Sequence, residues 1–299
     1  MSPVCRRDVH DNWLSRTVRR RRRGRPGEPR IGLALGGGFA RGIAHVGILR
    51  VLEREGIPLH CVTGVSAGAI VAAAFASGAT SEEIGRVGSA MRFGDVARWS
   101  LCRLGLVGSE RMTKFLGRLL KQMRFEDMKI PLGIVATDVM KGEPVLFRQG
   151  GDLSLAIRAS CSYPGLFRPV EMDGRILVDG AISVEVPALL ARRMGATHVI
   201  SVCIPSPTEA SQPHNMFEVI NRCFQIMMSR TEESWRRHSD LVIMPEVADI
   251  AWDGFGNAQR MIDAGEAAAA RAVQQIREWS PAPAESTCSM IAPGRLAEA

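Results

Sequence analysis

Val62-Thr-Gly-Val-Ser-Ala-Gly68 is the stretch from which the rest of the chain can be read. Within it Gly64, Ser66 and Gly68 spell G-x-S-x-G. A short apolar piece, Leu59 to Val62, precedes it, and a run rich in alanine and β-branched residues, Ala67 to Ala76, follows. Strand, sharp turn and helix is the setting in which this pattern forms a nucleophile elbow. The glycines have a steric reason. A serine at the tip of a strained turn points its hydroxyl outward, and the neighbouring backbone leaves no room for side chains on either flank. The helix that follows also offers its first N–H groups to an oxyanion. Taken alone, the five residues read equally as a glycine-containing turn that happens to hold a serine, so the pattern needs support from elsewhere.

Support comes from upstream. Ile31 to Leu35 is a short apolar strand that runs into Gly36-Gly37-Gly38-Phe39-Ala40-Arg41-Gly42. From Ile43 to Glu55 the spacing is helical, with Ile43, Val46, Gly47, Leu49, Val51 and Leu52 on one buried face. Strand, glycine loop and helix also open a dinucleotide site. Here the window starting at Gly36 ends on Arg41, the one starting at Gly37 has Phe39 in its second glycine position, and no acidic residue ends the next strand. A phosphate-binding P-loop fails too, for want of Gly-Lys-Ser/Thr. The loop is better used as a cradle of convergent N–H donors for an oxyanion, with Arg41 bracing it or adding positive potential. Two adjacent parallel strands would then bring donors and serine to one sheet edge.

Downstream, Thr80 or Ser81 caps a helix that begins Glu82-Glu83-Ile84. The segment from Phe93 to Phe125 reads as two helices around a Gly105–Gly108 connector, either core or an apolar lid. Pro131 to Ala136 is a buried strand ending at Thr137-Asp138, paired through a Lys141-Gly142-Glu143 turn with Pro144 to Phe147. Leu153 to Cys161 is a helix, and 162–169 a loop with two prolines. Asp173-Gly174 turns a hairpin between Val170–Met172 and Arg175–Val178, and the second strand ends at Asp179-Gly180-Ala181. Helices at Pro187–Met194, Phe217–Trp235 and Phe255–Trp279 alternate with strands at Thr197–Ile204 and Asp240–Met244. The alternation predicts an α/β fold of three layers, α/β/α, with a mostly parallel central sheet.

The predicted domain is therefore 30–279, between a basic, disordered leader (1–29) and a disordered tail (280–299). The net charge of +7 comes mainly from the leader, chiefly Arg19 to Arg23 with Arg25, and the rest is near balance. The leader is either a solvated arm or an attraction to anionic lipid or nucleic acid. Without interleaved aromatics it is no platform for single-stranded nucleic acid, and no specific nucleic-acid partner is expected. Gly24, Pro26, Gly27, Glu28 and Pro29 interrupt any apolar run after the arginines, so a signal peptide is not expected. Nor does any stretch of about 20 apolar residues predict a transmembrane helix. Seven scattered cysteines without C-x-x-C spacing read as reduced thiols of a cytoplasmic protein, free or peripheral at a membrane.

Taken together, Leu33-Ala-Leu-Gly-Gly-Gly-Phe-Ala-Arg-Gly-Ile-Ala-His45, Gly64–Gly68, Ala136-Thr-Asp138, Ala159-Ser-Cys-Ser-Tyr-Pro-Gly-Leu-Phe167 and Asp179-Gly-Ala181 fall in one order. In that order they resemble the patatin-like phospholipase family, in its bacterial branch related to neuropathy target esterase. The resemblance covers roughly Arg30 to Trp279. It implies a Ser–Asp dyad with Ser66 as nucleophile and Asp179 as base. It also implies an oxyanion hole from Gly37, Gly38, Phe39 and Arg41, supported by Gly36, Gly42, Gly64, Gly68, Gly180 and Ala181. The implied substrate is a fatty-acyl ester, phospholipid or lysophospholipid, and no cofactor or metal is implied. Two positions depart from the family pattern: Phe39 stands where many members have glycine or a small residue, and Glu185 lies in Val184-Glu-Val-Pro187 where many have asparagine before the proline.

A serine hydroxyl attacks only when something accepts its proton. Aspartate, with an ordinary pKa of about 3.9, is a weak base unless burial raises that value. An isolated Asp-Gly would otherwise be a turn or capping carboxylate. A Ser-Asp-His triad is the competing enzyme reading, with His198, His214 or His238 after the acid, and His45 satisfied within the core. A lipid-binding or regulatory module on the same fold is the non-enzyme alternative.

Overall fold

The computed structural model describes residues 29–206 and 212–279, so the leader and the tail expected at the two ends lie outside the described residues. In chain order the strands are β1 (Ile31–Leu35), β2 (Leu59–Val65), β3 (Arg98–Cys102), β4 (Gly105–Gly108), β5 (Leu132–Asp138), β6 (Glu143–Phe147), β7 (Val170–Met172), β8 (Arg175–Asp179), β9 (His198–Val202) and β10 (Leu241–Ile243). The helices are α1 (Ala44–Arg54), α2 (Ala67–Ser77), α3 (Ser81–Ser89), α4 (Phe93–Val96), α5 (Glu110–Leu119), α6 (Leu153–Ser160), α7 (Ala188–Arg193), α8 (Met216–Arg236) and α9 (Ala258–Trp279).

The main sheet runs β10-β9-β1-β2-β5-β8-β7, with β6 also on β5. β10, β9, β1, β2 and β5 are parallel, and the hairpin strands β6, β7 and β8 add antiparallel pairs. Both faces are covered, which is why these strands are continuous apolar runs rather than alternating ones. On β1, Leu33 and Leu35 face a large core shared with α1, α2 and α9. Ala34 points the other way, with Cys61 and Val199, into a second core built with α7. There α7 lies close to the sheet because the facing residues are small. A Cβ on Gly32 would fall 2.8 Å from that of Ala196, and one on Gly133 would fall 2.8 Å from Leu190 Cδ2.

One detail of register positions the site. β5 pairs with β2 through Val65↔Val135 and with β8 from Ala136↔Asp179 onward. β6 lies along Ile134 to Asp138 and so occupies the opposite edge. Hence β2 and β8 share one edge of β5 and meet end to end: where β2 stops at Val65, β8 arrives with Asp179. The residue after Val65 is Ser66.

The two helices expected between Phe93 and Phe125 are present, but the connector between them is longer than Gly105–Gly108 and the first helix is correspondingly short. Only α4 and α5 are helical there, and β3 and β4 form an antiparallel hairpin between them. Tertiary contacts override the helix-compatible spacing. The N–H groups of Leu106 and Val107 donate to Leu166 O, and Arg168 N–H donates to Val107 O, so β4 is held as an extended edge. Gly105 permits the approach, since a Cβ there would lie 2.6 Å from Arg168 N. At Phe39–Ile43 the glycine loop enters its helix through a 3-10 turn.

Candidate active site

Ser66 sits between β2 and α2 with φ 53° and ψ −123°, a conformation that L residues avoid. Two contacts hold it there. Its N–H donates to Ser160 Oγ at 2.9 Å, and that hydroxyl in turn donates to Val135 O at 2.6 Å. Gly64 and Gly68 then close the elbow: a Cβ on Gly64 would lie 2.5 Å from Gly68 O, and one on Gly68 would lie 2.4 Å from Leu35 O. The elbow therefore presses against the end of β1, where the glycine loop starts. Gly42 serves the same approach, with its Cβ position 2.5 Å from Ala67 Cβ.

Ser66 Oγ donates to Asp179 Oδ2 at 2.7 Å, with no histidine between them. The other carboxylate oxygen, Oδ1, accepts the Ala181 N–H at 2.9 Å and so caps the 3-10 turn Gly180–Ile182. Capping and contact with the serine are thus simultaneous. Around them, Asp179 N–H donates to Ser162 O, and Thr137 Oγ1 donates to Asp179 O at 3.0 Å. Gly180 is pinned over β5, where a Cβ would sit 2.2 Å from Val135 O. Asp179 is 1% exposed. Burial pushes its carboxyl up to about 7, against the smaller opposing effects of the Ala181 and Ser66 hydrogen bonds.

Across from Ser66, Gly36 N–H is taken by Val202 O and Ala40 N–H by Trp252 O. The N–H groups of Gly37, Gly38 and Phe39 find no acceptor among the described residues. Phe39 itself has φ 52°. Its ring stands edge-on to Trp252 at 4.7 Å and to Tyr163 at 6.2 Å. Arg41 is buried, and its Nη1 donates to Pro205 O at 3.0 Å, bracing the loop; its Nε has no partner among the described residues.

Two chambers meet at Ser66 and Phe39. One, of about 60 Å³, has the glycine loop, Asp179, Tyr163, Asn221 and Gln225 in its wall. The other, of about 100 Å³, is apolar and lined by Ile70, Met91, Phe93, Phe115, Phe167 and Met261 among others. Sequence reading missed the contribution of α8 to the first chamber, because an amphipathic helix does not declare what its apolar face covers. Tyr163 stacks on Phe224 of α8 at 4.5 Å and donates to Asn221 Oδ1. It also left Ser160 without a role, although Ser160 stood within a quoted motif.

The described histidines are elsewhere. His45 Nε2 bonds Gly36 O at 2.9 Å, its Nδ1 has no partner among the described residues, and burial pushes its pKa down to about 4, so the ring is neutral. His60 bonds Met194 O, and His198 stacks on Trp279. His214 starts α8 through a main-chain bond to Glu218, and His238 follows its end. Glu185 is turned away from Asp179, accepting Trp235 Nε1 at 2.9 Å and Cys203 Sγ at 3.6 Å. Among the described residues no three His, Cys, Asp or Glu side chains form a metal cluster, and Cys61, Cys161, Cys203 and Cys223 are free thiols.

A serine on a strained strand-to-helix turn and a buried aspartate, brought together where two strands share one edge of a third, define a class of α/β protein. The sequence profile of the patatin-like phospholipase family matches residues 33–192, and the chain belongs to that family. An uncharacterized NTE family protein of Mycobacterium bovis is 32% identical over 201 residues, 65% of this chain and 55% of the relative. Lysophospholipase NTE1 of Mycosarcoma maydis is 28% identical over 228 residues, 74% of this chain and 12% of the relative. The chain thus spans little more than half the length of the first and a small part of the second. VipD from Legionella pneumophila has the same fold, with a TM-score of 0.51 at 14% identity over 84% of this chain and 67% of VipD. Among the described residues no helix is long and apolar enough to cross a membrane.

Proposed function

We propose that the protein is a serine acyl hydrolase that cleaves fatty-acyl esters of the phospholipid or lysophospholipid class. The observation that carries this is the 2.7 Å hydrogen bond from Ser66 Oγ to a buried Asp179 whose pKa burial raises to about 7. A base with a pKa near the working pH is the one best suited to take the serine proton. Ser66 Oγ attacks the ester carbonyl carbon while its proton passes to Asp179 Oδ2. The N–H groups of Gly37, Gly38 and Phe39 receive the oxyanion, and the buried Arg41 adds positive potential behind them. Asp179 then returns the proton to the leaving alcohol. Water, activated by the same carboxylate, next cleaves the acyl-enzyme and frees the acid. The apolar chamber suits the acyl chain and the more polar one the alcohol half. Membership of a phospholipase family and similarity to a protein named lysophospholipase support the substrate class.

The test is hydrolysis of short- and long-chain p-nitrophenyl esters and of lysophospholipid by wild type, Ser66→Ala and Asp179→Asn, with folding checked by circular dichroism. Both variants should fall by at least a thousandfold. A variant at Asp179 that keeps most of the activity would return the base to a histidine. An inert wild type on every ester would favour a binding module.

A further inference from the structure

Among the described residues, the β3–β4 hairpin gathers three exposed large apolar side chains. Trp99 is 73% exposed, Leu104 56% and Leu106 40%. An isolated exposed leucine is ordinary, but a cluster that includes tryptophan marks an interaction site. Arg98 and Arg103 are exposed beside them, with no carboxylate partner among the described residues. From Met91 to Arg111 four arginines stand against two carboxylates.

The register says what kind of partner fits. Trp99 pairs with Val107, so the two share a face of the hairpin, and Leu106, next along the strand, points to the other. Val107 is buried against the body, while Trp99 overhangs its edge. Leu104 lies in the turn. Apolar side chains therefore leave the hairpin from both faces and from its tip. A rigid protein partner covers one face. A fluid lipid interface closes around all three, and indole with leucine beside arginine is the composition that such an interface accepts.

The hairpin also lies next to the wall of the apolar chamber. β4 is hydrogen-bonded to Leu166, whose neighbour Phe167 lines the apolar chamber and packs against Phe93. The same loop abuts α8 at Gly165, beside Ile220, and Met216 and Val219 at the start of α8 are exposed as well. We propose that the β3–β4 hairpin, with the first turns of α8, is a docking edge that brings the apolar chamber to an anionic lipid–water interface.

The test is flotation of the full chain with phosphatidylcholine vesicles, with and without phosphatidylglycerol, in a Ser66→Ala background. Binding is then read without hydrolysis, and the outcome does not depend on the proposed activity. Leader arginines Arg19–Arg23 changed to glutamine separate the leader from the hairpin. Wild type and the leader variant should float with anionic vesicles. Trp99→Ser/Leu104→Ser/Leu106→Ser should lose at least tenfold in partitioning on either vesicle. Arg98→Glu/Arg103→Glu should lose roughly tenfold on anionic vesicles only. The hairpin substitutions, returned to a Ser66 background, should leave short-chain ester hydrolysis unchanged. Equal flotation of the triple variant would overturn the proposal, and so would loss of binding in the leader variant alone. A dimer that dissociates in the triple variant, with no vesicle binding by wild type, would assign the edge to a second copy of the chain.

Discussion

Asp179 holds its carboxyl almost wholly buried, and that has an energetic consequence of definite sign. Its carboxyl ionises near pH 7 in the folded protein against an ordinary 3.8 when unfolded. Between these values the folded state holds a proton that the unfolded state has lost. Stability from this group is therefore fully present below pH 4 and drains away as pH rises through 7. Each unit corresponds to about 1.4 kcal/mol, so the ionised aspartate costs on the order of 4 kcal/mol at pH 8. Asp179→Asn should consequently be more stable than wild type, and its advantage should be larger at pH 8 than at pH 5 in urea unfolding. The same variant should be inactive. On the proposed mechanism only the ionised carboxylate accepts the serine proton, so in wild type kcat/KM should rise with pH through an apparent pKa near 7. Phe39 offers a second contrast. Its φ of 52° costs about 1–2 kcal/mol in a residue with a Cβ, while its edge-on pairs with Trp252 and Tyr163 return about 0.5–1.5 kcal/mol each. Phe39→Ala keeps the strain and loses the rings; Phe39→Gly loses both. The glycine variant should therefore melt higher than the alanine one, reversing the usual order, and both should broaden the range of acyl chains hydrolysed.

At the scale of elements, how legible the sequence is depends on how local the signal is. β1, β2, α2, the Asp173-Gly174 hairpin and the closing helix are written in short patterns of apolar spacing and turn residues, and they stand where those patterns place them. Ser66 and Asp179 stand out through motifs a few residues long. Their meeting is not written locally: it follows from β2 and β8 dividing one edge of β5, a pairing between residues about 70 and about 40 positions apart in sequence. The hairpin at 98–108 misleads for the same reason, since besides the pairing of its own two strands it is held extended by the distant carbonyl of Leu166. The helix just after it gives a test free of such long-range terms. Gly117 lies inside α5, and nothing stands within 4 Å of where its Cβ would be. Gly117→Ala should stabilise the protein by roughly 0.5–1 kcal/mol, through helix propensity alone, with ester hydrolysis unchanged.

At the scale of the whole molecule, closure rests on the last helix crossing the first. α9 lies on α1 at a distance that only glycine allows: a Cβ on Gly265 would fall 2.0 Å from Ala44 O, and one on Gly47 would fall 1.9 Å from Ile262 O. The obstacles are backbone atoms of packed helices, so neither can yield by rotating a side chain. α9 also supplies Ala258 and Met261 to the apolar chamber, while Gly36, Gly37, Gly38 and Asp179 line the other one. Gly265→Ala would gain helix propensity of up to about 1 kcal/mol. Forcing the helices apart costs more, about 1–3 kcal/mol or above, as overpacking of a core does. The net effect should be a lower Tm, opposite in sign to Gly117→Ala although the substitution is chemically the same. Below that Tm the variant should keep most of its activity on short-chain esters and lose it on long-chain ones, because the displaced helix deforms the chamber and not the Ser66–Asp179 pair. Equal losses on both substrates would mean that the α1–α9 crossing holds the elbow itself in place.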